Sequence, residues 1–123
     1  MATVFTNTGR ALLTSALDNT QLTSPTYIGW GTGSTTAAAT QTALVTPSAE
    51  ARTNGTKSRT TTTVTNDTYQ VVGTITSAGS QTIAEAALFD ASTSGNMYVR
   101  GDFTGIALTN GDSIAFTIKV IVA

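Results

Sequence analysis

Apolar and polar residues alternate through most of the second half of this chain. In TYQVVGTIT, residues 68–76, Tyr69, Val71, Gly73 and Ile75 share one face. In the last segment, DSIAFTIKVIVA, Ile114, Phe116, Ile118, Val120 and Val122 do the same. A period of two is the mark of a strand with one buried side. QTIAEAALFD and MYVRGDF read as two further strands, and TYIGWGTGS as a short one centred on Tyr27–Trp30 that breaks into glycines. Turn signals separate these runs. Asn54-Gly55 predicts a tight hairpin within EARTNGTKSRTTTTVTN, and Asn66-Asp67, Ala78-Gly79-Ser80, Ser92–Asn96 and Asn110-Gly111 mark the later turns.

Only residues 7–18 carry a helical period. Leu12, Leu13, Ala16 and Leu17 fall on one face, Asn7 or Thr8 can cap the start, and Asp18-Asn19 ends the run. TTAAATQTALVTP is small and polar, with room for a helical turn near Thr40–Leu44. Short strands with regular Gly/Asn/Asp turns predict an all-β chain, an antiparallel β-sandwich or jelly-roll-like barrel with one short N-terminal helix. Neither linkers nor repeats interrupt residues 1–123, so one β domain is expected, with residues 1–7 as an extended N-terminal arm. The final strand either pairs on both sides or is an edge seeking a partner; a central position is the expectation.

Composition narrows the function classes. Cysteine and histidine are both absent from the 123 residues, which removes disulfides, thiolates, imidazole bases and most transition-metal sites. The net charge is −1 and charged residues make up 11%, so no electrostatic grip on nucleic acid or on an anionic membrane is expected. Threonine fills 28 of the 123 positions. Its β-branched side chain suits a pleated surface, and its hydroxyl keeps that surface wet without charge. Such a surface tolerates burial against another protein, because few ions must be desolvated; a well-solvated β domain is the plainer reading. No apolar run of membrane-spanning length occurs, and the N-terminus lacks the basic start of a signal peptide, so synthesis in a cytoplasm is expected.

Candidate chemistry is sparse. Arg100-Gly101-Asp102 matches an adhesive triplet, but it lies in a predicted strand. Met97, Val99, Gly101 and Phe103 would form one face, with Tyr98, Arg100 and Asp102 outward on the other, so Arg100 and Asp102 are expected as an exposed or interface pair. Glu85 shares a face with Ile83, Ala87 and Phe89 in a regular strand. A carboxylate there is either a general acid/base or a salt-bridge partner, for Arg100 across the hairpin or for a neighbouring subunit. Gly29-Trp30-Gly31-Thr32-Gly33 lacks the Lys-Ser/Thr of a phosphate loop; Trp30 packs as a core or interface anchor. Asn54 and Asn66 fit a glycosylation pattern that matters only after secretion. Lys57 and Arg59 line one strand face, too few for a nucleic-acid patch. No catalytic, cofactor or metal site is expected.

The order of motifs carries a resemblance. NTGRALLTSAL, YIGWGTG, ALVTP with AEAR, TIAEAALFDASTSGNMYVRGDF and GDSIAFTIKVIVA together resemble small virion structural proteins of tailed bacteriophages. The hairpin pattern at Thr82–Phe103 recurs in head-associated proteins and in tail-fibre or collar modules; the usual glycine before its leucine is Ala87 here. The resemblance implies a non-enzymatic building block without cofactor. Its first placement is a capsid decoration, or cement, protein: a homotrimer on the head surface that binds the major capsid protein and bridges capsomers, with no nucleic-acid, membrane or small-molecule partner. The alternative is a tail fibre, collar or baseplate module that contacts a host receptor or tail proteins. Tyr27, Trp30 and Tyr98 are the expected interface anchors. MATVFTN and Thr32–Pro47 are the segments expected to order on the shell.

Overall fold

The computed structural model describes residues 2–20 and 23–122; Met1 of the expected arm lies outside them. Eight strands and one helix follow in order: β1 (Ala2–Phe5), α1 (Asn7–Leu17), β2 (Tyr27–Gly31), β3 (Thr53–Asn54), β4 (Thr56–Thr60), β5 (Thr68–Thr76), β6 (Gln81–Phe89), β7 (Met97–Leu108) and β8 (Ser113–Ile121). They form two antiparallel sheets, one ordered β1-β7-β6-β2-β3 and the other β4-β5-β8. The sheets pack face to face as an open sandwich, not a closed barrel. Ile28, Trp30, Ile83, Leu88 and Val99 of the first meet Val71 and Ile75 of the second, with Ile114, Phe116, Ile118 and Val120 packed against them. The expected faces of β5 and β8 are therefore the core faces; only Val122, 60% exposed, falls outside.

Several expectations change. The extended N-terminus is paired, residue for residue, from Ala2 opposite Asp102 to Phe5 opposite Val99. The cap of α1 is Thr6, not Asn7 or Thr8: its Oγ1 accepts the Gly9 N–H at 2.9 Å and donates to the Met97 carbonyl at 2.6 Å. One buried hydroxyl thus starts the helix and pins it to β7. Of the expected apolar stripe, Leu12 reaches the core, while Leu17 is 84% exposed. And β8 is an edge strand of its sheet, not a central one.

Asn54-Gly55 is not a hairpin. Thr53 and Asn54 belong to the five-stranded sheet and Thr56 onward to the other, so this dipeptide is where the chain changes layer. Contact decides the residue here. A Cβ on Gly55 would lie 2.6 Å from Val71 Cγ1 and 2.8 Å from the Val72 carbonyl, and the Gly55 N–H donates to the Thr26 carbonyl at 2.7 Å. The other two crossings, after β5 and after β7, are tied together by Ser77 N–H to the Asp112 carbonyl and Gly111 N–H to the Ser77 carbonyl.

Gly55→Ala should therefore destabilise the fold by about 1–3 kcal/mol, the usual cost of overpacking. Gly79→Ala, where an added Cβ meets nothing within 4 Å, should leave the urea midpoint almost unchanged. Equal midpoints for the two variants would contradict the layer-crossing account.

Candidate functional site

β6 is central in its sheet and buried on both faces from Ile83 to Phe89. An irregularity between Ile83 and Glu85 switches its alternation. Ile83 and Leu88 point into the inter-sheet core, whereas Ala87 and Phe89 join Met97, Tyr27 and Leu44 on the opposite side. Glu85 belongs with this second group. The expected regular strand, with Ile83 and Glu85 on one face, is corrected by that bulge.

The second side does not face water. Residues 32–52 cross it as an irregular strap, with a turn at Ala39–Thr40 in place of the expected helical turn at Thr40–Leu44. Charge holds the strap down. Glu85 accepts from the backbone N–H groups of Gly33 at 3.0 Å, Val45 at 2.9 Å and Thr46 at 2.8 Å. Arg100 Nε and Nη2 both lie 3.0 Å from Glu85 Oε1, and both side chains are fully buried. Arg100 Nη1 donates to the Thr35 carbonyl at 3.0 Å and to Gln41 Oε1 at 3.1 Å; Asp102 Oδ1 accepts the Ala37 N–H at 2.8 Å. The salt-bridge reading of Glu85 is the arrangement found. The adhesive triplet is spent inside this lock, and the outward Arg100–Asp102 pair expected from strand alternation is absent, because the strap covers that face.

The glycines of GWGTG have a reason in the same contact. A Cβ on Gly31 would run into the Thr46 carbonyl and lie 2.6 Å from Glu85 Oε2; one on Gly33 would lie 2.7 Å from Val45 Cβ. Bare backbone is what lets the strap settle onto the carboxylate. Thr32–Pro47, expected to order on a shell, is ordered here against its own sheet.

The expected anchors are placed as follows. Trp30 is 2% exposed in the core, edge-on to Phe116, and its Nε1 donates to Glu50 Oε1 at 3.0 Å. Tyr98 is 4% exposed, with its hydroxyl donating to the Thr23 carbonyl at 3.2 Å. Tyr27 is half-buried against Phe89 and Met97. Trp30 and Tyr98 are thus core residues of this chain, while Tyr27 keeps part of its surface exposed. Burial raises the Tyr98 hydroxyl pKa and pushes that of Tyr69 up to about 12.

Nothing local in the sequence singles out Glu50 and Arg52. Glu50 Oε2 accepts the Ala78 N–H at 3.0 Å and Gln81 Nε2 at 2.9 Å. The Ala78 N–H, then Gln81 and Trp30, hold the Glu50 carboxyl at about 2, well below the usual range. Arg52 lies 3.4 Å over the Phe89 ring, and its Nη1 donates to the carbonyls of Ala91 and Ser94 at 2.8 Å each. Their only sequence signal was AEAR itself, since nothing local says where a long polar segment will fold back.

Two concavities lie among the described residues. One, of about 170 Å³, is apolar and lies between α1 and β8, lined by Phe5, Leu13, Ala16, Tyr98, Val120 and Val122 among others. The other, of about 370 Å³, lies between the strap and the Ser92–Ser94 loop beside Glu50 and Arg52.

Two outcomes follow. Arg100→Ala leaves Glu85 buried without its cation and should cost about 3–5 kcal/mol in urea unfolding; a loss below about 1 kcal/mol would mean the strap is held by something else. Glu50 has a folded pKa below its unfolded one, so its stabilisation is complete above the unfolded value and drains away as pH falls toward about 2. Glu50→Gln should make the acid limb of a stability–pH curve shallower, leaving the share that Asp67 and Asp112 contribute.

A family model described as podophage GP4 fiber I protein gp80 matches residues 4–123. Comparison with curated proteins and with solved structures returned no match.

Proposed function

Because the chain belongs to the podophage GP4 fiber I protein gp80 family, and is thereby a bacteriophage virion structural protein, we propose that it works as a fibre-associated part of the particle, acting through protein contacts and not as an enzyme. The family match across residues 4–123 carries this reading. The electrostatics agree with it. Glu50, Glu85, Arg52, Arg100 and Asp102 are all engaged by groups of the same chain. What is left outside is largely threonine and serine, a surface that meets another protein with few ions to desolvate. Such a unit is folded before it docks, so binding does not bear the cost of ordering the strap. It then adds stability to the assembly by mass action, since it binds the assembled state and not the separated parts.

The head-decoration placement and the homotrimer expected from the resemblance are the competing assignments. Separating heads from tails and quantifying this chain against the major shell protein by mass spectrometry decides the placement. A low copy number travelling with tails is expected. A copy number near that of the shell protein, in the head fraction, would make it a decoration protein instead. Absence from both fractions would overturn both placements.

A further inference from the structure

The two sheets have unequal widths, and the shortfall lies on one flank. β5 lies beneath β2 and β3: a Cβ on Gly73 would come within 3.1 Å of Ile28 Cδ1 and 2.9 Å of Thr53 Cγ2. β8 comes next, with Phe116 edge-on to Trp30 of β2 at 6.3 Å. The larger sheet runs on through β7 and β1, and among the described residues no strand lies opposite them.

Their inner side chains register the gap. Ile106 is paired with Ile83, a core residue with no exposure, yet Ile106 is 43% exposed. Thr3 is paired with Gly101, on the same face as the buried Ala86, and it too is exposed. The strand bordering the gap, β8, pairs with β5 alone and presents its second edge along nine residues. At one end the gap runs into the apolar cleft between α1 and β8, where Phe5, Val120 and Val122 belong to both.

We propose that this flank is an acceptor slot for one extended segment of a neighbouring virion polypeptide, which pairs with the free edge of β8 and lies beneath β7 and β1. The choice of a virion partner rests on the proposed function; the slot itself rests on geometry alone. A free strand edge recognises a strand, because its unpaired N–H and C=O groups repeat at strand spacing. The inward side chains of the segment must be apolar or small, since they meet Phe103, Ile106, Phe116 and the cleft. Its outward side chains must tolerate Lys119, the one charge on that side of β8.

The other edges are guarded. β1 and β3 are short, at four and two residues. β4 carries Lys57 and Arg59 on the same face as their partners Val71 and Tyr69, and inward-pointing charges keep an apolar strand away. β8 has neither bulge nor proline. A second copy cannot enter by its own β8, because its overhanging β7 and β1 would collide with those of the first. A single strand fits where a second sandwich does not.

The probe is a capped peptide of residues 113–121, SIAFTIKVI, added to the intact chain. Antiparallel on β8, it sets Thr117 against Thr117 and apolar side chains on the apolar face, and it brings no overhang. Residue-resolved hydrogen exchange is the readout. In the free chain, alternate β8 amides, those turned away from β5, should exchange about 100-fold or more faster than their neighbours, and the peptide should protect them. Ile106→Lys, at an already exposed position in the slot, should weaken peptide binding about tenfold or more by desolvating an unpaired charge. Val72→Lys, comparably exposed at 40% but on the outer face, should bind as the unmodified chain does. Uniform protection of β8 in the free monomer, no protection by the peptide, or equal weakening by both lysines would each overturn the slot. Exchange on purified particles tests the partner separately: a peptide-competent chain whose β8 amides stay open in particles keeps the slot and overturns the virion segment as its occupant.

Discussion

The arrangement of this protein turns on a buried ion pair. Glu85 and Arg100 sit side by side with no solvent exposure, on the face of a sheet that would otherwise meet water. Two charges are costly to desolvate, and the attraction between them seldom offsets the loss. Here the offset comes from the strap: three backbone N–H groups on the carboxylate, and a carbonyl and an amide oxygen on the guanidinium. The strap needs the pair, having no regular structure to satisfy its own backbone, and the pair needs the strap. This mutual dependence explains why the segment is full of small residues and why glycines stand at positions 31 and 33.

Satisfying charge within the chain recurs elsewhere. Asp67 accepts the N–H groups of Thr62, Thr63 and Val64, and Asp112 that of Thr109, which lowers both carboxyl pKa values. In each case a carboxylate organises a loop that carries no helix or strand bonds of its own. The result is a unit with a weakly charged, hydroxyl-rich exterior.

The edges of the sheets divide in a way that matters for assembly. Three are short or carry inward charge, as edges of a soluble sandwich commonly are. The fourth, β8, is long, regular and beside a flank that, among the described residues, no strand covers. A virion protein has a use for such an edge that a free-standing one does not, because the particle supplies neighbours at high local concentration.

Strand existence, the core faces of β5 and β8, and the helix near the N-terminus were legible from period and turn chemistry, because those signals are local. The tertiary structure decided what local signals leave open. Asn-Gly is good hairpin chemistry, yet at residues 54 and 55 a tight approach of Val71 and Val72 makes it a layer crossing. Alternation put Arg100 outside; the strap, distant in sequence, buried it. Trp30 and Tyr98 looked like anchors because aromatic residues serve cores and interfaces alike, and only packing distinguishes the two. Periodicity shows that a strand has an inside. Which strand ends up at an edge, and what lies across from it, is fixed only when distant segments meet.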